Sequence, residues 1–445
     1  MVLLLTPFLI RWATEGNLLD QPDYFRKRHD RAVPRIGGLP LYVVFLMGLG
    51  ALFFLKQDLD DGWLAIAVSS TLIFAVGLWD DFKTLGAKKK LAAQVLAALV
   101  AFGMGLKIDQ ITYPVGHFSM ALGIWSIVLT ILWLVTVPNL INLIDGVDGV
   151  ASGLGLFLFL TLGFVGWSAG QLEVTWICFA LAGALLGFLC FNFPPAKIFL
   201  GDGGAYLIGF AVAAISLQSA NKGAVIAALL VTIVALGLPI MDTTLAILRR
   251  AVRGFPLFRA DAEHIHHRLG HLGLSKRRVV LAMYLVSAAL SFVGLSVLWT
   301  QGRTLPIAGA VIFVMGLIGV RYLGYIWSWA ELREQFSRAM LRRPEVQYTI
   351  LQAKVLELEV ERCGSWEDFL ECLNTTLRRV GFGLREDDLK TAQQEILLKL
   401  GERHSLMLWA PVDDTEHHWR RLAECFREPY LKAMEKWKKA DVDSA

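Results

Sequence analysis

The chain has 445 residues and a formal net charge of +4, and 55% of its residues are hydrophobic while only 18% are charged. An ordinary soluble domain carries about 25% charged residues, so the composition argues against a soluble globular protein and predicts a membrane protein. We expect no nucleic-acid partner.

Ten stretches of the sequence contain no Asp, Glu, Lys, Arg or His. Most approach the roughly 20 residues that a helix needs to cross a bilayer, and flanking apolar residues can complete the shorter ones. The apolar segment 1–10 adds a short first span. The ten stretches are 36–55, 62–79, 91–106, 121–143, 149–169, 174–196, 203–221, 223–241, 279–302 and 304–320. They predict an all-α polytopic membrane protein with about 10–11 transmembrane helices.

The basic residues between these stretches are distributed unequally. If every stretch crosses once, one side of the membrane receives 19 Lys and Arg residues before position 320 and the other side receives 4. Because cytoplasmic loops carry the excess of Lys and Arg, the basic side is predicted to be cytoplasmic. We therefore expect a multi-pass protein of the plasma (inner) membrane with its polar loops in the cytoplasm.

Six polar clusters interrupt the apolar pattern, and all fall at helix ends on the predicted cytoplasmic side. A transporter would carry ionisable groups near the middle of the bilayer, whereas these spans contain no Asp, Glu, Lys, Arg or His. The pattern favours an active site at the membrane surface, and a transporter or a non-catalytic scaffold is the less favoured alternative. The clusters are RKRHDRAVPRIGG (26–38), WDDFKTLGAKKKLAAQ (79–94), PNLINLIDGVDG (138–149), FLGDGGAY (199–206), PIMDTT (239–244) and RADAEHIHHRLGHLGLSKRR (259–278).

Five carboxylates stand out within these clusters, namely Asp80, Asp81, Asp145, Asp148 and Asp202. A pair of acids can simply end a helix at the water interface, but five on one face favour a functional site. Like charges that converge stay ionised only beside a cation or basic groups. Oxygen ligands without a nearby cysteine suit Mg²⁺ or Mn²⁺, and magnesium commonly serves phosphates. The substrate is therefore predicted to be an anion such as a nucleotide diphosphate.

Three histidines lie within four positions, at His264, His266 and His267, and Arg268 follows them. Such a group can hold zinc, but the aspartate oxygens nearby suit a harder ion. We favour imidazoles that donate hydrogen bonds to phosphate oxygens.

Taken together, the motifs resemble those of the polyprenyl-phosphate N-acetylhexosamine-1-phosphate transferases, and most of all the WecA-like branch, which transfers GlcNAc-1-phosphate. The resemblance runs from about residue 11 to 325 and rests on five motifs in order: DD…L…KL…Q, NLINLIDGVDG, FLGDGG, P…DT and ADAEHIHHRL. It implies that a polyprenyl (undecaprenyl) phosphate attacks a UDP-N-acetylhexosamine and releases UMP.

The same resemblance implies roles for individual residues. Asp202 is similar to the main magnesium ligand, with Asn142 nearby, and Asp80 to a residue that deprotonates or orients the lipid phosphate, supported by Asp81. Asp145 and Asp148 match positions for catalysis or uridine binding. The matching substrate-binding positions are His29, Arg35, Lys90, Asn139, His264, His266, His267 and Arg268.

Three departures from the family pattern, at Ala32, Ala205 and Ala262, bear on sugar preference more than on the type of reaction. The branch that transfers phospho-MurNAc-pentapeptide ranks second because its histidine loop differs. CDP-alcohol phosphotransferases are excluded because no Arg follows Asp148 and Gly149 at the required place. A phosphate monoester is mostly dianionic at neutral pH, with a second pKa of about 6, so direct attack is favoured over an aspartyl-phosphate intermediate.

Residues 1–325 are thus predicted to form the transferase domain, and residues 326–445 a small cytoplasmic α+β domain that is regulatory or serves oligomerisation. Segment 342–364 predicts an amphipathic helix that couples protomers, and we expect a homodimer. Ser365 and Asp368 begin a second helix as an N-terminal cap, 395–400 and 404–412 are predicted strands, and 416–437 is a predicted helix with its histidines on a solvated face.

Overall fold

The computed structural model describes residues 1–16, 19–20, 32–56, 60–83, 85–112, 119–221, 225–255, 265–300, 303–322, 329–384, 393–399, 405–411 and 416–437. Helices dominate these residues, and the chain divides into two compact units. The first unit takes its described residues from 1–20, 32–246 and 265–322, and the second from 247–255 and 329–437.

Thirteen helices begin in the described part of the first unit. They are α1 (Val2–Glu15), α2 (Gly38–Leu55), α3 (Asp61–Phe82), α4 (Ala87–Gly103), α5 (Trp125–Ile144), α6 (Val150–Ser168), α7 (Leu172–Asn192), α8 (Gly201–Asn221), α9 (Val225–Ala235), α10 (Gly237–Arg253), α11 (Ile265–His271), α12 (Lys276–Trp299) and α13 (Leu305–Tyr322). Two short antiparallel hairpins accompany them, β1 (Leu19–Asp20) with β2 (Val33–Pro34), and β3 (Gln110–Thr112) with β4 (Ser119–Ala121).

Among the described residues, seven helices are long and apolar enough to cross a membrane: α2, α3, α5, α6, α7, α8 and α12. The described parts of α9 and α10 are long and apolar enough to cross only when they are taken together, and the chain bends by 64° at the break between them. They count as an eighth span if they are taken as one. Helices α1 and α4, with 14 and 17 residues, are shorter than a full span. The predicted all-α polytopic membrane protein is confirmed, and seven or eight of its 10–11 expected spans meet this test in the described residues.

Helix α8 lies at the centre of the first unit, where its whole apolar segment is buried. It packs against α3, α5 and α2, and glycines allow the close approach. A Cβ on Gly77 of α3 would lie 2.6 Å from the Cα of Gly203, and a Cβ on Gly38 of α2 would lie 2.4 Å from the nitrogen of Gly204. Small residues therefore bring the ends of α2 and α3 against the first turn of α8.

The second unit contains α14 (Trp329–Arg362), α15 (Trp366–Val380), β5 (Gln393–Lys399), β6 (Ser405–Pro411), α16 (Glu416–Ala423), a 3-10 turn (Glu424–Phe426) and α17 (Arg427–Lys436). Strands β5 and β6 pair antiparallel from Gln393 opposite Pro411 to Lys399 opposite Ser405. Phe369, Leu373 and Phe426 are fully buried in the core of this unit. The two predicted strands and the helices are therefore present in a small α+β arrangement.

Local signals in this unit were predicted well, and distant contacts were not. The capping box of Ser365 and Asp368 is confirmed in both directions. The predicted single helix 416–437 is wrong in one respect, because a 3-10 turn divides it so that Pro429 falls in the first turn of α17, where its missing N–H needs no partner. His418 is not on a solvated face: its side chain is 14% exposed and its Nε2 lies 3.1 Å from Glu345 Oε2. The side chain of His417 lies outside the described residues.

Candidate active site

The candidate site forms where α3 ends and α8 begins. Asp80 and Asp81 are in the last turn of α3, and Asp202 is in the first turn of α8. The three side chains are 5%, 2% and 6% exposed. Buried carboxylates of this kind need hydrogen bonds and opposite charges, and the structure supplies both.

Asp81 caps the start of α8 from a neighbouring helix. Its Oδ1 accepts the N–H of Asp202 at 2.8 Å, and its Oδ2 accepts the N–H of Gly203 at 2.9 Å. Gly201 has a positive φ of 78°, and a Cβ there would lie 2.6 Å from Asp81 Oδ2, so glycine is needed for this approach. The Asp81 carboxylate thus satisfies N–H groups that a helix leaves unpaired at its N-terminus and fixes the backbone of Asp202.

Two basic side chains complete the network. Arg35 Nη2 donates to Asp202 Oδ1 at 2.5 Å, and Arg35 Nε lies 3.2 Å from Asp81 Oδ1. Lys90, from the first turns of α4, bridges Asp202 Oδ2 at 2.7 Å and Asp80 Oδ2 at 2.5 Å. Asp80 Oδ1 also accepts the N–H of Leu85 at 2.5 Å. Arg35 and Lys90 are 33% and 22% exposed, so the two cations form the solvent-facing side of the network.

The DGVDG segment between α5 and α6 borders this network. Burial raises the pKa of Asp145 well above its usual range, and the Arg35 guanidinium opposes that effect, while the carboxylates of Asp202, Asp81 and Asp148 add to it. Asp145 is therefore close enough to the network to interact with it electrostatically.

Asp148 instead holds the loop before α8, because its Oδ2 accepts the N–H of Ala196 at 3.0 Å. Gly149 has a positive φ of 78°, and its carbonyl accepts from the Tyr284 hydroxyl at 2.6 Å.

The two predicted asparagines face other polar groups of the bundle. Asn142 Nδ2 lies 3.4 Å from the Tyr206 hydroxyl, four residues after Asp202 on α8. Asn139 Nδ2 donates to Gln94 Oε1 at 2.6 Å, and Gln94 Nε2 donates back to Asn139 Oδ1 at 3.2 Å. Neither asparagine is shown in direct contact with Asp202, so Asn142 as a metal ligand stays a prediction.

The predicted histidines are only partly described. His29 and His264 lie outside the described residues, and so do the side chains of His266 and His267, whose backbone belongs to α11. Arg268 is half-buried on the same helix. The roles of these four histidines and of Arg268 therefore stay predictions.

No individual role was predicted for three polar residues of the quoted motifs whose contacts the structure describes. Asp242 is 3% exposed, and its Oδ1 accepts the N–H of Ile265 at 2.9 Å, so it anchors the start of α11. Its position in the polar PIMDTT cluster was the feature of the sequence that could have pointed to it. Tyr206 and Gln94 were quoted within motifs but given no role, although Tyr206 follows Asp202 by one helical turn.

The donors at the centre of the site fit a hard divalent cation. No group of three or more His, Cys, Asp or Glu side chains in the described residues is arranged to hold a metal ion. Magnesium is commonly held by one or two carboxylates together with phosphate oxygens and water. Asp80 and Asp202 supply two carboxylates that already converge on one cation, the Lys90 ammonium.

Residues 63–220 match the model of the family described as glycosyl transferase family 4. The chain is 35% identical over 314 residues to a Bacillus subtilis protein named probable undecaprenyl-phosphate N-acetylglucosaminyl 1-phosphate transferase, covering 71% of this chain and 86% of that protein. It is 34% identical over 326 residues to the decaprenyl-phosphate N-acetylglucosaminephosphotransferase of Mycolicibacterium smegmatis, covering 65% and 79%. It is 28% identical over 343 residues to the undecaprenyl-phosphate alpha-N-acetylglucosaminyl 1-phosphate transferase of Escherichia coli K12, covering 76% and 90%.

Proposed function

The chain belongs to glycosyl transferase family 4, and we propose that it transfers GlcNAc-1-phosphate from UDP-GlcNAc to a membrane polyprenyl phosphate, releasing UMP and starting a lipid-linked cell-surface glycan. The names of its relatives support this transfer. The observation that carries the proposal is the Asp80–Lys90–Asp202–Arg35 network at the ends of membrane helices. In this proposal the site faces the cytoplasm, where the nucleotide sugar is found, and the membrane is the plasma (inner) membrane.

The chain's own residues would act mainly by positioning charge. Arg35 and Lys90 now hold Asp202, and their partly exposed positive groups are placed to bind the phosphates of the two substrates. Asp80 and Asp202 would hold Mg²⁺ or Mn²⁺, with Asn142 as a further candidate, and the ion would neutralise charge on the diphosphate. Asp145 and Asp148 would border the nucleotide, and the histidines with Arg268 would bind the diphosphate or the sugar.

The bond changes require little help from a base. A phosphate monoester, with a second pKa of about 6, is mostly dianionic at neutral pH. One oxygen of the lipid phosphate would form a bond to the sugar-bearing phosphorus, and the bond from that phosphorus to the UMP oxygen would break in the same step. Asp80 accepts from Lys90 and Leu85, which supports a positioning role for it over that of a nucleophile.

The direct test is UMP release by the purified full chain in detergent with UDP-GlcNAc, undecaprenyl phosphate and Mg²⁺. We expect release that stops when lipid or metal is omitted and in Asp202→Asn. A panel of UDP-sugars, including UDP-GalNAc and UDP-MurNAc-pentapeptide, would identify the donor. UMP release that needs no lipid, or no release with any donor from folded protein, would contradict the proposal.

A further inference from the structure

Helix α14 has two apolar faces, and among the described residues of the second unit only one of them is buried in the core. Val346, Ala353, Leu356 and Val360 are buried in the core of that unit. Their spacing of three, four and seven residues keeps them on one side of the helix. This face explains why α14 is held in place, but it leaves the opposite side of the helix unexplained.

The opposite side carries a second stripe of large apolar residues. Tyr348, Leu351, Val355 and Leu358 are 43%, 61%, 49% and 63% exposed. Their separations of three, four and three residues are those of the a and d positions in a heptad repeat, and Leu341 continues the series seven residues before Tyr348. Single exposed apolar residues are common, but a contiguous stripe of this kind marks an interaction surface.

We propose that this stripe is a dimer seam, along which α14 of a second copy of the chain packs in parallel. A parallel two-stranded seam is self-complementary, because a two-fold axis along the helices places each a and d residue beside its own equivalent. Membrane insertion gives every copy of this multi-pass chain the same orientation and confines the copies to two dimensions, which raises their effective concentration. Helix α14 is also preformed by its inner face, so pairing does not have to fold it.

The charges beside the stripe favour a parallel copy as the occupant. With Tyr348 and Val355 at a positions, Lys354 is at g and Glu359 is at the e position of the next heptad. In a parallel pair the g residue of one helix lies beside the next e residue of its partner. Lys354 of each chain would therefore lie beside Glu359 of the partner subunit, so that both flanks of the seam carry an attractive pair. Glu359 accepts from Arg362 of its own helix at 3.1 Å, and both of these side chains are at the surface, so the pairing adds Lys354 to an exposed ion pair.

A groove on the e side strengthens this complementarity. It has a volume of about 400 Å³ and lies between α14 and α15. Val355 and Glu359 line one wall, and Asp368 and Glu371 line the other. Arg379 also lines the groove, so three carboxylates and one guanidinium face it. The lining remains acidic on balance, which matches the partner's Lys354 at that place.

The test measures the number of subunits per particle for the full chain in liposomes, by single-molecule photobleaching. We expect the native chain to be dimeric and Leu351→Glu to weaken the dimer by roughly tenfold or more, because it places two carboxylates face to face in an apolar seam. Leu397→Glu is the matched control, since Leu397 is 48% exposed on β5 outside the stripe; it should remain dimeric.

Charge reversal then tests the parallel register with a copy of the same chain. Lys354→Glu and Glu359→Lys should each weaken the dimer, and the double variant should restore it. The two single variants, co-reconstituted with different fluorophores, should pair with each other more strongly than either pairs with itself. A monomeric native chain, a Leu351→Glu variant that dimerises like Leu397→Glu, or a double variant without rescue would each overturn the proposal. None of these readouts depends on transferase activity.

Discussion

Replacing Asp81 with Asn separates a positioning role from a catalytic one. The Asp81 side chain is 2% exposed and uses both oxygens to accept the N–H groups of Asp202 and Gly203. Asn keeps one accepting oxygen and turns an NH₂ group toward the other N–H, so one buried donor loses its partner and the charge opposite Arg35 is lost. An unsatisfied buried polar group costs about 1–3 kcal/mol, and a charge-assisted hydrogen bond is worth about 1.5–3 kcal/mol.

The two losses concern the same carboxylate and partly overlap, so we expect Asp81→Asn to destabilise the protein by about 2–4 kcal/mol. It should also move Asp202, the proposed metal ligand, enough to weaken divalent-cation binding by roughly 10–100-fold, as is typical when a residue that orients a metal ligand is changed. The assays are thermal unfolding in detergent and Mn²⁺ binding followed by electron paramagnetic resonance.

Asp60→Asn provides the matched control, because Asp60 caps α3 at its other end by accepting from Gly62 N at 2.9 Å, and Asn caps a helix about as well as Asp. If Asp81→Asn abolished turnover while unfolding and Mn²⁺ affinity stayed native, Asp81 would be a catalytic group and the capping argument would be wrong.

Three further predictions address packing, charge and pH. Gly77→Ala should destabilise the protein by roughly 2 kcal/mol or more through overpacking, because its Cβ would lie 2.6 Å from the Cα of Gly203. Gly50→Ala is the control and should be neutral or stabilising in the same unfolding assay, because nothing lies within 4 Å of its Cβ. Equal effects of the two variants would contradict the close packing of α3 on α8. Lys90→Gln should lower turnover but leave Mn²⁺ affinity native or tighter, because it removes a cation that competes for Asp202; weaker Mn²⁺ binding would oppose this. Burial raises the pKa of Asp145, so its ionisation costs stability increasingly as pH rises above the ordinary carboxyl pKa. Asp145→Asn should therefore unfold at a higher temperature than the native chain at neutral pH, and this difference should shrink in acid; a constant difference would refute the assignment.

The sequence predicted the parts of the site that are encoded locally. Asp80 and Lys90 are ten residues apart across one short connection, and the helix that ends at the acids and the helix that begins before Lys90 were both visible in the apolar pattern. The capping box at Ser365 was equally local. Features of this kind depend on a few neighbouring residues, so a single chain is enough to predict them.

The different contacts of Asp80 and Asp81 could not be predicted from the neighbouring sequence. The two acids are adjacent, and the resemblance implied a catalytic role for Asp80 with Asp81 in support. Only the tertiary packing shows that Asp81 accepts hydrogen bonds from the backbone of α8. That approach depends on Gly77 and Gly201, which are far apart in the chain. The prediction of a solvated face for His418 was wrong for the same reason, because its hydrogen-bond partner, Glu345, is 73 positions away.

The charge balance of the network explains why cations occupy it. Asp80, Asp81 and Asp202 contribute three carboxylates, while Arg35 and Lys90 contribute two positive groups. Both oxygens of Asp81 accept hydrogen bonds from the α8 backbone. Asp80 and Asp202 are therefore the two carboxylates whose positive partners can be replaced. If Arg35 and Lys90 turn toward phosphates, these two acids need a new positive partner, and a divalent cation satisfies both at once. Metal and anionic substrate should therefore bind cooperatively, each raising the affinity of the site for the other, because each removes the repulsion that the other would meet.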